Sequence, residues 1–118
     1  MREYLLTGKK GEDLAEAYIR DLGFDILERN WRHRRVEIDF IASRSGVLHF
    51  IEVKTRTSTA FGYPEESVSN KKIRSLIRCG TAFLFQNPGW KNVQYDILSI
   101  LISEGDSADY LYIQDIDL

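Results

Sequence analysis

Hydrophobic and polar positions change period several times along the chain, and each change marks an element. Between Thr7 and Gly23, Leu14, Tyr18 and Leu22 recur every four residues with Ala15 and Ile19 beside them, which predicts an amphipathic helix. Gly23 suits the position just past its end. Phe24 to Arg29 reads as a short strand. Residues 34–42, RRVEIDFIA, then alternate, with Val36, Ile38 and Phe40 on one face and Glu37, Asp39 and Ile41 on the other. The turn signal SRSG at 43–46 leads into VLHFIEVKT at 47–55, so 34–55 is expected to form a β-hairpin. Its second strand places Leu48, Phe50, Glu52 and Lys54 on one face and Val47, His49, Ile51 and Val53 on the other. A strand apolar on nearly both faces is a central one, covered from each side.

A polar loop at 55–67 separates this hairpin from a second helix, capped by Ser69 or Asn70 and reaching to about Gln86. Ile73, Leu76, Ile77, Gly80, Phe83 and Leu84 give its buried stripe, and Asn87-Pro88-Gly89 stops it. Residues 92–103 and 109–116 read as two strands joined by the turn Glu104–Ala108. The expected order is α-β-β-β-α-β-β: an α/β fold with a mixed central sheet of about five strands flanked by helices. At 118 residues the chain is expected to be a single domain over 1–118.

Composition narrows the function classes. Hydrophobic residues are 43% and charged residues 29%, as in a globular chain. No apolar run suits a membrane span or a secretory leader, so the expected location is cytoplasmic. A single cysteine, Cys79, and two histidines exclude an internal disulfide and a zinc cluster of the usual ligand count. Cys79 lies in an apolar helical pattern and reads as a small core thiol. The net charge is −2, but residues 104–118 hold Glu104, Asp106, Asp109, Asp115 and Asp117 and no Lys or Arg, which leaves the rest of the chain net positive. An acidic end facing away from a basic surface is compatible with a nucleic-acid partner.

The candidate chemistry lies in the hairpin. Glu52 and Lys54 share a strand face, about 6.6 Å apart, on a face otherwise carrying Leu48 and Phe50. Burying two such charges is costly unless they pair with each other or with a metal. Asp39 interrupts the apolar run of the partner strand. The triplet Glu-x-Lys by itself is weak, since this composition yields about one by chance, and a plain same-face ion pair explains it as well. The conjunction is stronger: an acid on the neighbouring strand, both acids within apolar runs, and Glu12 on an upstream helix. Phosphodiester cleavage needs a hard cation to polarise a phosphoryl oxygen and acidify a bound water, and Mg²⁺ or Mn²⁺ takes oxygen ligands. Asp39 and Glu52 would supply carboxylates, Val53 a backbone carbonyl between them, and Lys54 a group to orient the attacking water or stabilise developing charge. Glu12 near a helix start is also explained by the helix dipole. Glu37 shares a face with Asp39 and is a candidate supporting acid, though a solvated strand residue is the better reading, and His49, between Val47 and Ile51, reads as a satisfied core or edge histidine.

The pattern GKKGEDLAEAY at 8–18, GFDILERN at 23–30, EIDFIA at 37–42, FIEVKTR at 50–56, Phe61-Gly62 and a lysine near 72 resembles the YraN family of bacterial proteins. That family is similar to archaeal Holliday-junction resolvases, within the PD-(D/E)XK nuclease superfamily. The resemblance implies a restriction-endonuclease-like fold. It implies metal-binding and catalytic roles for Asp39, Glu52 and Lys54, with Glu12 as the helix-borne acid that completes the site. It also implies a homodimer acting on branched DNA. Two departures are Val36, where the family usually has glycine, and Gln94-Tyr95-Asp96, where Arg-Phe-Asp is usual.

Basic groups flank these acids. Arg32, His33, Arg34 and Arg35 precede the Asp39 strand. Lys54 and Arg56 lead into the loop with Phe61, Gly62 and Tyr63. Lys71, Lys72, Arg74 and Arg78 lie on the polar side of the second helix. Each run alone is a solvated face; together they suit a phosphate backbone, with Arg34, Arg35, Arg56, Lys71 and Lys72 as contacts. Lys71 and Lys72 stand where helix N–H groups also favour phosphate. Trp31 and Tyr63 are candidates for base stacking, though packing suits Trp31 better. The leading expectation is a metal-dependent endodeoxyribonuclease acting on structured or branched DNA. The rivals are a catalytically silent nucleic-acid-binding module of the same fold and a protein-interaction domain.

Overall fold

The computed structural model describes residues 2–58, 60, 62–103 and 107–116, with side chains from residue 9 onward. The elements are α1 (Arg2–Asp21), β1 (Asp25–His33), β2 (Val36–Arg44), β3 (Val47–Arg56), α2 (Asn70–Gln86), β4 (Asn92–Ile102) and β5 (Ala108–Ile113), with a one-turn 3-10 helix at Pro64–Ser67. This is the expected order, and the five-stranded mixed sheet with its two helices has the restriction-endonuclease-like α/β arrangement. The strands lie in the order β1-β2-β3-β4-β5, antiparallel except for the parallel pair β3–β4. Parallel neighbours need a crossover, and α2 provides it.

Several boundaries differ from the sequence reading. Helix α1 begins at Arg2 rather than near Thr7; Glu, Leu and Arg are good helix formers even without a strict apolar stripe. Strand β1 continues to His33, and Arg34-Arg35 form the two-residue turn into β2 instead of opening a strand. Arg34 has φ 60 there, a left-handed conformation that nothing about an arginine announces. The next turn is the expected one: Ser45 and Gly46 both have positive φ (53 and 78), as a tight hairpin requires. Residues 59, 61 and 104–106, including Phe61 and most of the expected turn 104–108, lie outside the described residues.

Two cores lie on opposite faces of the sheet. One packs Ala15 and Ile19 of α1 on Phe40, Ala42, Ile51, Leu98, Ile100 and Ile102. The other packs Leu76, Cys79 and Phe83 of α2 on Ile38, Ile41, Leu48 and Phe50. The simple alternation expected of β2 therefore fails in its middle. Ile38 and Ile41 share the α2 side, whereas Phe40 and Ala42 share the α1 side. The pleat slips at Asp39, where a charged group sits between two apolar positions that must reach different cores. Trp31 packs edge-on against Phe83 (5.3 Å between centroids), a packing role as expected, and Cys79 is buried.

The centre of the α1 stripe is Gly11, Ala15 and Ile19, all buried, and Leu22 is exposed. Small residues at this spacing let the helix approach the sheet closely. A methyl group built on Gly11 would overlap the Thr55 side chain of β3. Alanine favours helix by about 1 kcal/mol over glycine, but overpacking costs about 1–3 kcal/mol. Gly11→Ala is therefore expected to lower stability in urea unfolding; a gain would show that the approach is slack.

Candidate metal and nucleic-acid site

β2–β3 pairing ends at Phe40↔Ile51, and the candidate acids gather where the two strands part. The Val53 N–H donates to Asp39 Oδ2 at 2.7 Å. A strand residue's N–H and C=O leave the same edge, so the Val53 carbonyl also faces the β2 side, beyond the end of the ladder. Burial raises the Asp39 carboxyl to about 7, and the nearby Glu52 charge adds to that, outweighing the Val53 hydrogen bond.

Glu52 is 4% exposed and faces α2. Its Oε1 lies 3.7 Å from Lys54 Nζ and 3.6 Å from Lys72 Nζ, while its Oε2 is buried without a hydrogen-bond partner among the described residues. Burial raises its carboxyl; Lys72 and then Lys54 pull it back down only in part. Lys72, read from sequence as a phosphate contact, thus reaches the buried acid from the first turn of α2, where Ser69 caps the helix by accepting from the Lys72 N–H at 3.2 Å.

A third acid joins from α1. Carboxylate oxygens of Glu12, Glu37 and Asp39 all lie within 4.8 Å of one another. Glu37, read as a solvated strand residue, is half-buried and belongs to this group, although it also pairs with Arg32 at 3.0 Å. Glu12 is held by Arg29 of β1 at 3.2 Å, and the same guanidinium reaches Asp13 (3.3 Å) and Glu16 (3.0 Å) and lies over the Phe40 ring. Arg29 therefore fixes the acidic edge of α1 on the sheet, a role the sequence reading missed. Its signal was the acidic edge itself, Glu12 and Glu16 one turn apart on one side of the helix.

The donor set fits a divalent cation. Glu52 is buried with an unmatched oxygen; half-buried Asp39 converges with Glu12 and Glu37, a cluster that does not include Glu52, and is pushed toward protonation by burial and by the Glu52 charge. A cation among these groups relieves both conditions. Of the basic residues, Arg56 and Lys71 are exposed at the end of β3 and the start of α2, and Arg34 and Arg35 are exposed in the β1–β2 turn. Asp109 and Asp115 lie in or just after edge strand β5, two strands away from β3 in the sheet; Glu104, Asp106 and Asp117 lie outside the described residues.

A second buried polar group lies elsewhere in the sheet. Asp96 is fully buried and accepts from the Tyr112 hydroxyl (2.6 Å), the Asp115 N–H (2.9 Å) and Gln94 Nε2 (3.4 Å), with His49 Nδ1 at 2.6 Å. His49 is the satisfied core histidine expected. Gln94 turns toward Asp96 and stands opposite His49, about 10 Å along the sheet from Glu52, so the departure from Arg-Phe-Asp falls away from the carboxylates.

No described helix is long and apolar enough to cross a membrane. Among curated proteins, a UPF0102 protein of Persephonella marina is 44% identical over 97 residues, covering 81% of this chain and 84% of the relative. One of Chlorobaculum parvum is 45% identical over 96 residues, covering 80% and 74%. One of Rhodococcus opacus is 35% identical over 116 residues, covering 98% of each. The family model described as uncharacterised protein family UPF0102 matches residues 11–100. That stretch runs from the glycine that seats α1 through Glu12, Glu37, Asp39, Glu52, Lys54 and Lys72, and the chain belongs to this family, the one the YraN resemblance indicated.

Proposed function

We propose that this protein is a metal-dependent endonuclease acting on structured or branched DNA. The observation that carries the reading is the buried Glu52 Oε2 without a partner beside an Asp39 raised to about 7. Such an arrangement is unfavourable in the bare protein and favourable around Mg²⁺ or Mn²⁺. Asp39, Glu52 and the Val53 carbonyl would hold the ion, with Glu12 and Glu37 completing the acidic edge. A bound divalent cation supplies phosphoryl polarisation and a water of lowered pKa. Lys54 stands beside Glu52, where an ammonium orients that water or offsets charge on the phosphate. Lys72 offsets the Glu52 charge from the other side. Arg34, Arg35, Arg56 and Lys71 supply exposed cations for the phosphate backbone, and the resolvase likeness adds a homodimer to the proposal.

One observation favours a second reading, a silent nucleic-acid-binding module: Lys54 and Lys72 already flank Glu52 and Arg29 already engages Glu12. The purified protein incubated with four-way junction, flap, single-stranded and duplex DNA in Mg²⁺ or Mn²⁺ decides between them. Metal-dependent nicking, lost in Asp39→Ala and reduced at least about a hundredfold in Lys54→Ala, is the expected result. Binding without cleavage, unchanged by either substitution, selects the silent module, and no binding to any of the four DNAs selects a protein-interaction role.

A further inference from the structure

A second feature lies beside the proposed site. A groove of about 380 Å³ opens between the β1–β2 turn and the C-terminal half of α2. Its floor is apolar, formed by Val36, Cys79 and Ala82. Phe85 stands at its edge and is 83% exposed. A large aromatic on the outside of a helix contributes nothing to the core it leaves, and it is the most exposed large apolar side chain among the described residues. The charged side chains lining the groove are arginines, Arg34 from the turn and Arg78 from the helix; no acid lines it. Helix α2 has no acidic residue anywhere along Asn70–Gln86.

The groove's position ties it to the carboxylates. Val36 is three residues before Asp39 on β2, about 10 Å along a strand. Arg78 is six residues beyond Lys72 on α2, about 9 Å along a helix. Two elements therefore run from the acids to the groove side by side, and a strand with one phosphate at the acids reaches the groove within a few nucleotides.

Resting on the nuclease reading, we propose that this groove binds an unpaired nucleobase of the substrate, stacked on Phe85 over the apolar floor, with Arg34 and Arg78 holding the adjoining phosphates. An aromatic platform rimmed by cations is what a single strand needs: a π-face for the base and positive charge for the backbone. The groove is of a size that takes a nucleoside-sized group. The substrate class follows: DNA with an unpaired segment next to the scissile phosphate, in preference to a continuous duplex.

The test is binding in EDTA, which separates it from cleavage. Fluorescence anisotropy compares a short oligo(dT) with an abasic strand of the same length and charge. Wild-type protein is expected to hold oligo(dT) about 5- to 100-fold more tightly, the worth of one stacked base. Phe85→Ala should bring oligo(dT) down to the abasic level and leave the abasic strand unchanged, Phe85→Tyr should restore the difference, and Arg78→Ala should weaken both strands. Equal affinity of wild-type protein for the two strands, or undiminished discrimination by Phe85→Ala, overturns the proposal. So does a shift of Phe85→Ala from dimer to monomer in gel filtration with both affinities intact, which would assign the groove to contact between copies. Failure of the hydrolytic reading has a different signature: base discrimination persists while no metal-dependent nicking occurs.

Discussion

Asp39→Asn is expected to abolish cleavage and at the same time to make the metal-free protein more stable. The two effects share one cause. The Asp39 carboxyl is raised to about 7 by burial and by the Glu52 charge, against 3.8 for an unperturbed group. The folded protein therefore binds this proton more tightly than the unfolded chain does. The stability tied to it is complete below about pH 4 and is lost as pH rises through 7. Asparagine keeps an oxygen to accept from the Val53 N–H but carries no charge. At pH 8 in EDTA, Asp39→Asn should gain about 1–2 kcal/mol, seen as a rise of several degrees in Tm, and the gain should vanish near pH 4. Added Mg²⁺ should raise the wild-type Tm, by ligand binding to the native state, and leave the variant unmoved. Because the cation competes with the proton on Asp39, its affinity should climb with pH through about 7. Nicking should fall at least about a thousandfold. A variant no more stable than wild type at pH 8, or one that Mg²⁺ stabilises equally, would remove the physical basis of the site.

The second large effect concerns folding alone. Asp96→Ala deletes the acceptor shared by Tyr112, Asp115 and Gln94 and the partner of His49. Tyr112 is held as a protonated donor, its hydroxyl raised by burial and by Asp96 itself, so it cannot adapt by ionising. Truncating one member of such a buried polar cluster costs about 3–5 kcal/mol, a large share of a domain's 5–15 kcal/mol or so. Urea unfolding should show a midpoint shift of that size with little change in slope. Asp96→Asn, which keeps an oxygen and the shape, should fall between. A cost under about 1 kcal/mol for the alanine variant would mean that the cluster is wetted and relaxes freely.

The fold was legible where local chemistry and tertiary packing agree. Ser69 as a helix cap, Ser45-Gly46 as a turn and the doubly apolar β3 each state their structure in a few residues, and the element order follows from them. The misreadings have physical causes. Arg34-Arg35 carries no turn signature, so the first hairpin was hidden. The pleat slip at Asp39 defeats a rule of alternation because two opposed cores compete for neighbouring residues. Of the candidate site, Asp39, Glu52 and Lys54 were visible as charges in apolar strands. Glu37 was visible only as an acid on the Asp39 face and Arg29 not at all, since each becomes informative only when α1 is laid across the sheet. Asp96 looked like the remnant of a motif and is a buried junction of four partners.

The single parallel pairing has a consequence for how the molecule assembles. Strands β1 to β3 form a meander of near neighbours in sequence, whereas β4 joins β3 through paired positions, Val47 and Asn92, that lie 45 positions apart in the chain. Closing that long loop is the slow, entropically costly event. Glu37, Asp39 and Glu52 all belong to the meander, so three acids are brought together early, and the Lys72 ammonium arrives only when the crossover docks. Until then, among the described residues, only Lys54 and Arg32 of the meander offset these carboxylates, so divalent salt should act on the refolding rate as well as on the finished protein.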